Sequence, residues 1–103
     1  MKLINLFHII SGAILLIWLH SKYFTPSLLS KSVAILLGIG VMYHHFYKYS
    51  NTGAWIYLFH AIIVAPVIIY FGFYPTEGRS MLQLVAVSMI AYHLAIITHI
   101  LHL

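Results

Sequence analysis

The chain has 103 residues, of which 63% are hydrophobic and only 6% are charged. Soluble domains carry about 25% charged residues, so five Lys or Arg and one acidic residue cannot cover a water-soluble fold. The high hydrophobicity excludes disorder, and the basic residues are scattered singly without forming the basic patch that nucleic-acid binding requires. The composition predicts an integral, multi-pass membrane protein whose partner is the lipid bilayer.

Four apolar stretches each approach the roughly 20 residues with which a helix crosses a bilayer. Short segments rich in turn-forming residues separate them, so consecutive helices run antiparallel. We therefore predict an all-α, four-helix up-down bundle that forms a single transmembrane domain over residues 1–103. The predicted spans are Leu3–Lys22, Leu28–Tyr49, Ala54–Phe73 and Ser80–Leu103, and the predicted turns lie at residues 25–27, 50–53 and 75–78.

Small residues and one proline predict how these helices pack. Small residues spaced by four allow two helix backbones to approach closely in a membrane. Pro66 removes a backbone hydrogen bond and is expected to kink the third helix. The small-residue pairs are Ala34/Gly38, Ala61/Ala65 and Ala91/Ala95.

An internal repeat relates the two halves of the chain. Leu6-Phe7-His8 recurs 52 residues later as Leu58-Phe59-His60, and Tyr43-His44 recurs 49 residues later as Tyr92-His93. The repeat predicts two helical hairpins, residues 1–50 and 51–103. Each copy contains two spans and enters the membrane from the same side, so a pseudo-two-fold axis along the membrane normal should relate the copies.

Four of the eight histidines are predicted to form one layer inside the membrane. His8, His44, His60 and His93 each lie several residues inside a different helix, roughly 8–9 Å from the same surface. Intramembrane ionisable residues usually face the bundle interior and mark functional sites. The alternative is that these histidines are neutral and only hold the helices together through hydrogen bonds, with Tyr43 or Tyr92 among the partners.

The other histidines are expected to play lesser parts. Because His45 follows His44 directly, it should turn away from the layer towards the interface. His99 and His102 lie three apart near the end of the chain, a spacing that gives a weaker metal site.

The residue types that the sequence lacks restrict the kinds of functional site that it can form. The chain has no cysteine and a single acidic residue, Glu77, in a predicted loop, so no side-chain catalytic machinery is evident. Neutral imidazoles remain as ligands, and we expect a cofactor site in the histidine layer. A bis-His haem b, with Lys2 or Lys48 near its propionates and an electron-transfer role, is slightly favoured over a metal ion, because the porphyrin brings its own negative charge. A redox function follows only if haem or a metal is bound.

Two further hypotheses stay open at this stage. The same histidines could conduct protons or ions, or the chain could be a structural membrane component without a ligand. A chain this small also has much apolar surface to cover, which is consistent with a homo-oligomer.

Part of the sequence resembles small histidine-containing multi-pass membrane proteins of large DNA viruses of protists and algae. The segments that carry the resemblance run from Tyr43 to Tyr49 and from Trp55 to Pro66, and Tyr92-His93 repeats part of the first one. The resemblance covers mainly the second and third helices. It implies a viral or internal host membrane as the setting, adds weight to the envelope-component hypothesis and implies no activity.

Overall fold

The computed structural model describes residues 3–22 and 24–98, and within them four helices are long and apolar enough to cross a membrane. They are α1 (Leu3–His20), α2 (Leu28–Thr52), α3 (Trp55–Phe73) and α4 (Pro75–Ile97). The described residues contain no β-strand. The prediction of an all-helical, multi-pass membrane chain with four spans is confirmed, whereas the hairpin repeat and its pseudo-two-fold axis stay predictions.

Hydrogen bonds from its own flanking sequence close α2 at both ends. The Ser27 hydroxyl oxygen accepts from the Ser30 N–H (3.1 Å), and the Ser30 hydroxyl oxygen accepts from the Ser27 N–H (2.9 Å), which together form a capping box. At the other end Gly53 adopts φ 70°, a left-handed conformation that glycine tolerates, and its N–H donates to the Tyr49 carbonyl. The turn predicted over residues 50–53 is therefore wrong for residues 50–52, which are helical.

The last helix starts earlier than predicted. α4 begins at Pro75 and not at Ser80, so the predicted turn at residues 75–78 is wrong. Proline suits the first turn of a helix because it lacks an N–H that would be unbonded there anyway, and Glu77 complements the positive end of the helix dipole. Gly78 lies against Phe71, so close that an added Cβ would be 2.9 Å from the Phe71 Cα.

A widened turn interrupts α3. Residues His60–Val64 are π-helical, between α-helical segments Trp55–Phe59 and Ala65–Phe73, and the Ala65 N–H donates to the His60 carbonyl five residues back. The widened turn precedes Pro66, the residue that we expected to disturb this helix because it cannot donate a backbone hydrogen bond. The disturbance that we expected from Pro66 is thus found in the helical turn that precedes it.

The helices pack as two compact units that cut across the predicted hairpins. The α1–α4 unit combines the residues up to Thr25 with those from Gln83 onward, and the α2–α3 unit comprises Pro26–Leu82. In the α1–α4 unit, the buried α1 residues Asn5, Gly12 and Leu19 recur every seven positions, as in helix pairs packed side by side. Asn5 and Gly12 pack against an α4 face that contains Ala86 and His93, which are also seven apart and buried.

Close backbone approach holds the α2–α3 unit together. A Cβ on Gly38 would lie 3.1 Å from the Ile69 backbone nitrogen, and one on Gly72 would lie 3.0 Å from that of Ile35. The predicted small-residue pairs of α2 and α3 are buried as expected, at Ala34/Gly38 and Ala61/Ala65. The predicted pair on α4 is wrong: Ala91 is exposed and Ala95 only half-buried, because both lie off the face that His93 shares with Ala86.

Candidate histidine site

The α1–α4 histidine pair consists of His8 and His93. Their rings stack with centroids 4.4 Å apart and planes 14° from parallel. His93 is 8% exposed, and its Nδ1 lies 2.9 Å from the side-chain oxygen of Asn5, itself 7% exposed. The Nδ1 of His8 lies 2.8 Å from the Ile4 carbonyl oxygen of its own helix. A buried polar group must be hydrogen-bonded to be tolerated, and Asn5 supplies that bond for His93.

The α2–α3 histidine pair consists of His45 and His60. Their rings also stack, with centroids 4.7 Å apart and planes 10° from parallel. Each ring is bonded to its own helix: Nδ1 of His45 lies 2.7 Å from the Val41 carbonyl oxygen, and Nδ1 of His60 lies 2.6 Å from that of Ile56. Both side chains are half-buried. Tyr57 lies beside this pair, with its ring 6.2 Å from that of His45.

These hydrogen bonds determine the tautomer of the neutral rings. A carbonyl oxygen can only accept, so the ring nitrogen that contacts it must carry the hydrogen. His8, His45 and His60 therefore carry it on Nδ1, and His93 does the same by donating to the Asn5 oxygen. In all four rings the lone pair that can take up a proton or bind a metal is consequently on Nε2.

The stacking constrains how one centre could use both histidines of a pair. The Nε2 lone pair lies in the plane of its ring, whereas stacked rings face each other with their π surfaces. Two axial ligands of one haem instead direct their nitrogens at the iron from opposite sides. Two histidines of one stacked pair can bind the same iron or metal ion only after the rings turn out of the stack.

The structure corrects the choice between His44 and His45. The prediction placed His44 towards the other histidines and turned His45 away, but His45 stacks on His60 and His44 is exposed. Adjacent residues on a helix differ by about 100° in direction, so only one of them can face α3. His45 lies seven residues after Gly38, which is two turns along the same face.

The remaining predicted residues fall in different places. Tyr43 is 75% exposed, Lys48 is exposed, and the Tyr92 ring touches that of its neighbour His93 edge-on at 5.1 Å. Lys2, His99 and His102 lie outside the described residues. Within residues 3–22 and 24–98, no three His or acidic side chains come together in a way that could hold a metal ion. A single layer of four histidines combines residues of both units and stays a prediction.

Sequence reasoning missed two members of the site, and each had a signal. Asn5 is the only Asn within the first predicted span and precedes His8 by one turn, a position that marks a polar face. His45 continues the Ala34/Gly38 face at helical spacing. Extending that small-residue face by seven residues selects His45 over His44.

Comparison of the chain with protein-family models, with curated proteins and with solved structures gave no match.

Proposed function

We propose that this chain is a small multi-pass membrane protein that binds haem or a metal ion of low charge through the Nε2 atoms of its paired histidines. The observation that carries the proposal is the common tautomer. A histidine that ligates a metal almost always donates its other ring N–H to a carbonyl or carboxylate, which orients the ring. His8, His45, His60 and His93 all have that second hydrogen bond.

The scarcity of acidic side chains limits the charge of a ligand that these histidines can bind. The only acidic residue, Glu77, lies 16 residues before His93 on α4, or roughly 24 Å along the helix. No carboxylate side chain therefore compensates a divalent ion near His93, and an uncompensated charge in low dielectric is costly. Haem carries its own negative charge, and Cu(I) brings a single positive charge and binds imidazole and thioether ligands. Both are compatible with a site built from neutral side chains, and haem would give the protein a role in electron transfer.

The arrangement of the pairs is consistent with the predicted repeat. Exchanging the two hairpin copies relates His8 to His60 and α2 to α4. This exchange therefore maps the His8–His93 pair, between α1 and α4, onto a pair between α3 and α2. These are the helices on which His60 and His45 stack. In the repeat, His93 corresponds to His44, whereas the residue that stacks on His60 is His45. The position of the paired histidine on α2 therefore differs by one residue from that on α4. A pseudo-two-fold bundle with two equivalent histidine pairs is the architecture that we propose.

Proton uptake is a second candidate, and the stacking favours it. A proton can bind at Nε2 of one ring while the stack persists, because the face of the neighbouring neutral ring attracts the resulting cation. Histidine is the side chain whose protonation changes near neutral pH. A metal centre shared by one pair requires the rings to move, whereas a proton does not.

The test is the visible spectrum and metal content of the detergent-purified protein from haem- and copper-replete cells, oxidised and then reduced with dithionite. Bound haem gives a Soret band with sharp α and β bands on reduction, and bound copper appears in elemental analysis. Replacing His93 or His60 by Phe should lower the signal, and replacing both should remove it. His44→Phe is the matched control, since its ring is adjacent to His45 but exposed.

The other outcomes are equally informative. Loss of the signal with His44→Phe alone would favour the layer predicted from sequence over the pairs. A colourless, metal-free protein whose His93 ring titrates by ¹⁵N NMR would replace the metal proposal with proton uptake. If no ligand and no titration is found, the histidines only hold helices together, as in a structural component of a viral or host membrane.

A further inference from the structure

Each paired histidine on α2 and α4 has a methionine one helical turn before it. Met42 is three residues before His45, and Met89 is four residues before His93. Side chains at these spacings are neighbours on one helix face, with Cβ atoms roughly 5–6 Å apart. Both methionines are half-buried. In each of the two units, a thioether is therefore the neighbour of a paired imidazole.

On α2, the packing face and the direction of the imidazole bring Met42 and His45 together. Met42 is four residues after Gly38, so it shares the face on which α3 packs. Helix side chains lean towards the N-terminus of the helix. The His45 ring does so, because its Nδ1 lies 2.7 Å from the Val41 carbonyl oxygen. Val41 directly precedes Met42, so the ring lies over the turn that carries the thioether.

On α4, the absence of a side chain at Gly12 leaves room for the end of Met89. A Cβ on Gly12 would lie 3.1 Å from the Met89 Cε, which is the methyl carbon bonded to the sulfur. Gly12 is four residues after His8, whose ring stacks on that of His93. The thioether therefore lies at the contact between α1 and α4, about one turn along each helix from the stacked pair.

We infer that each of these methionines binds Cu(I) together with its histidine, through the methionine sulfur and the histidine Nε2. The inference rests on the proposed function and selects Cu(I) over haem as the ligand. Thioether sulfur is a soft ligand that favours Cu(I), and imidazole also binds copper. The two sites are Met42 with His45, and Met89 with His93.

A methionine ligand also avoids the constraint that the stacked rings place on a shared metal ion. Two histidines of one pair can bind the same ion only after they leave the stack, whereas a histidine and a methionine of one helix need not. The unbranched methionine side chain rotates about three bonds, so its sulfur can approach the Nε2 atom while the imidazole stays stacked. Both ligands are neutral, and Cu(I) brings a single positive charge.

Competition with bicinchoninate in the presence of ascorbate measures Cu(I) binding to the detergent-purified protein. We expect one Cu(I) in each unit, and Met42→Leu and Met89→Leu should each remove one of them. Leucine nearly conserves the volume of methionine, so the variants should keep their packing. Met81→Leu is the matched control, because Met81 is 47% exposed on α4 and no histidine follows it by three or four residues. Unchanged binding by the Met42→Leu/Met89→Leu double variant would overturn the inference.

X-ray absorption of the Cu(I)-loaded protein identifies the ligands without any substitution. In protein labelled with selenomethionine, copper–selenium scattering should replace copper–sulfur scattering. Copper with nitrogen neighbours alone would contradict the methionine ligands and leave the histidine proposal intact. Binding of haem but not of Cu(I) would do the same, whereas a protein that binds neither would contradict both proposals.

Discussion

The four paired histidines hydrogen-bond their Nδ1 atoms in two ways. His8, His45 and His60 donate from Nδ1 to a carbonyl of their own helix, a bond that forms in any isolated helix and says little about its neighbours. His93 on α4 donates to Asn5 on α1, which is 88 residues away in the sequence. Only the second bond stabilises the tertiary arrangement, because breaking it leaves a buried N–H.

At the residue scale, we expect Asn5→Leu to lower the free energy of unfolding by about 1 kcal/mol, the usual contribution of an interhelical hydrogen bond in a membrane. The measurement is reversible unfolding in mixed detergent. Ser11→Ala is the control, since the Ser11 hydroxyl donates to the Phe7 carbonyl within α1, and it should change little.

The interaction itself is isolated by a double-mutant cycle. In a His93→Phe background, Asn5→Leu should be neutral or stabilising, because the buried Asn5 amide has already lost its partner. If Asn5→Leu is equally destabilising in both backgrounds, the Asn5–His93 hydrogen bond does not account for the loss.

At the scale of helices, close packing depends on the face that each small residue occupies. Gly38 and Gly40 are two residues apart on α2, yet a Cβ on Gly38 would meet Ile69 Cγ1 at 2.5 Å whereas one on Gly40 would meet nothing within 4 Å. The two glycines therefore have different roles: Gly38 allows α3 to approach closely, whereas Gly40 points about 200° away from that contact. Composition alone does not distinguish these two glycines.

We expect Gly38→Ala to destabilise the chain by about 1–3 kcal/mol, because the methyl group overpacks against α3. Gly40→Ala should leave stability unchanged or raise it by up to about 1 kcal/mol through helix propensity. Both are measured by reversible unfolding in excess detergent. Equal losses for the two variants would mean that α2 and α3 do not approach as closely as Gly38 and Gly72 indicate.

At the scale of the whole molecule, four spans with short connections determine which segments share a side of the membrane. Helices that follow one another cross in opposite directions. Thr25, in the connection after α1, and Thr76, in the first turn of α4, should therefore lie on one side, and Asn51 at the end of α2 on the other. All three residues are exposed.

Single-cysteine variants of this cysteine-free chain test the arrangement. A membrane-impermeant maleimide should label Thr25→Cys and Thr76→Cys from the same side of sealed vesicles, and Asn51→Cys only from the opposite side or after the vesicles are opened. Labelling of Thr25→Cys and Thr76→Cys from different sides would show that α2 or α3 does not cross.

The sequence by itself determined the membrane class, the number of helices and most of their bounds, because apolar length and turn residues are local properties. It also singled out His8, His60 and His93, each of which stacks on a histidine of another helix, while their role as ligands stays a prediction. It did not distinguish His44 from His45 or recognise Asn5, and it mistook Ala91/Ala95 for a packing pair. In water, a polar outer face identifies the buried side of a helix. In lipid both sides are apolar, so only the tertiary contacts of Gly38 with Ile69 and of Asn5 with His93 decided which face is inside.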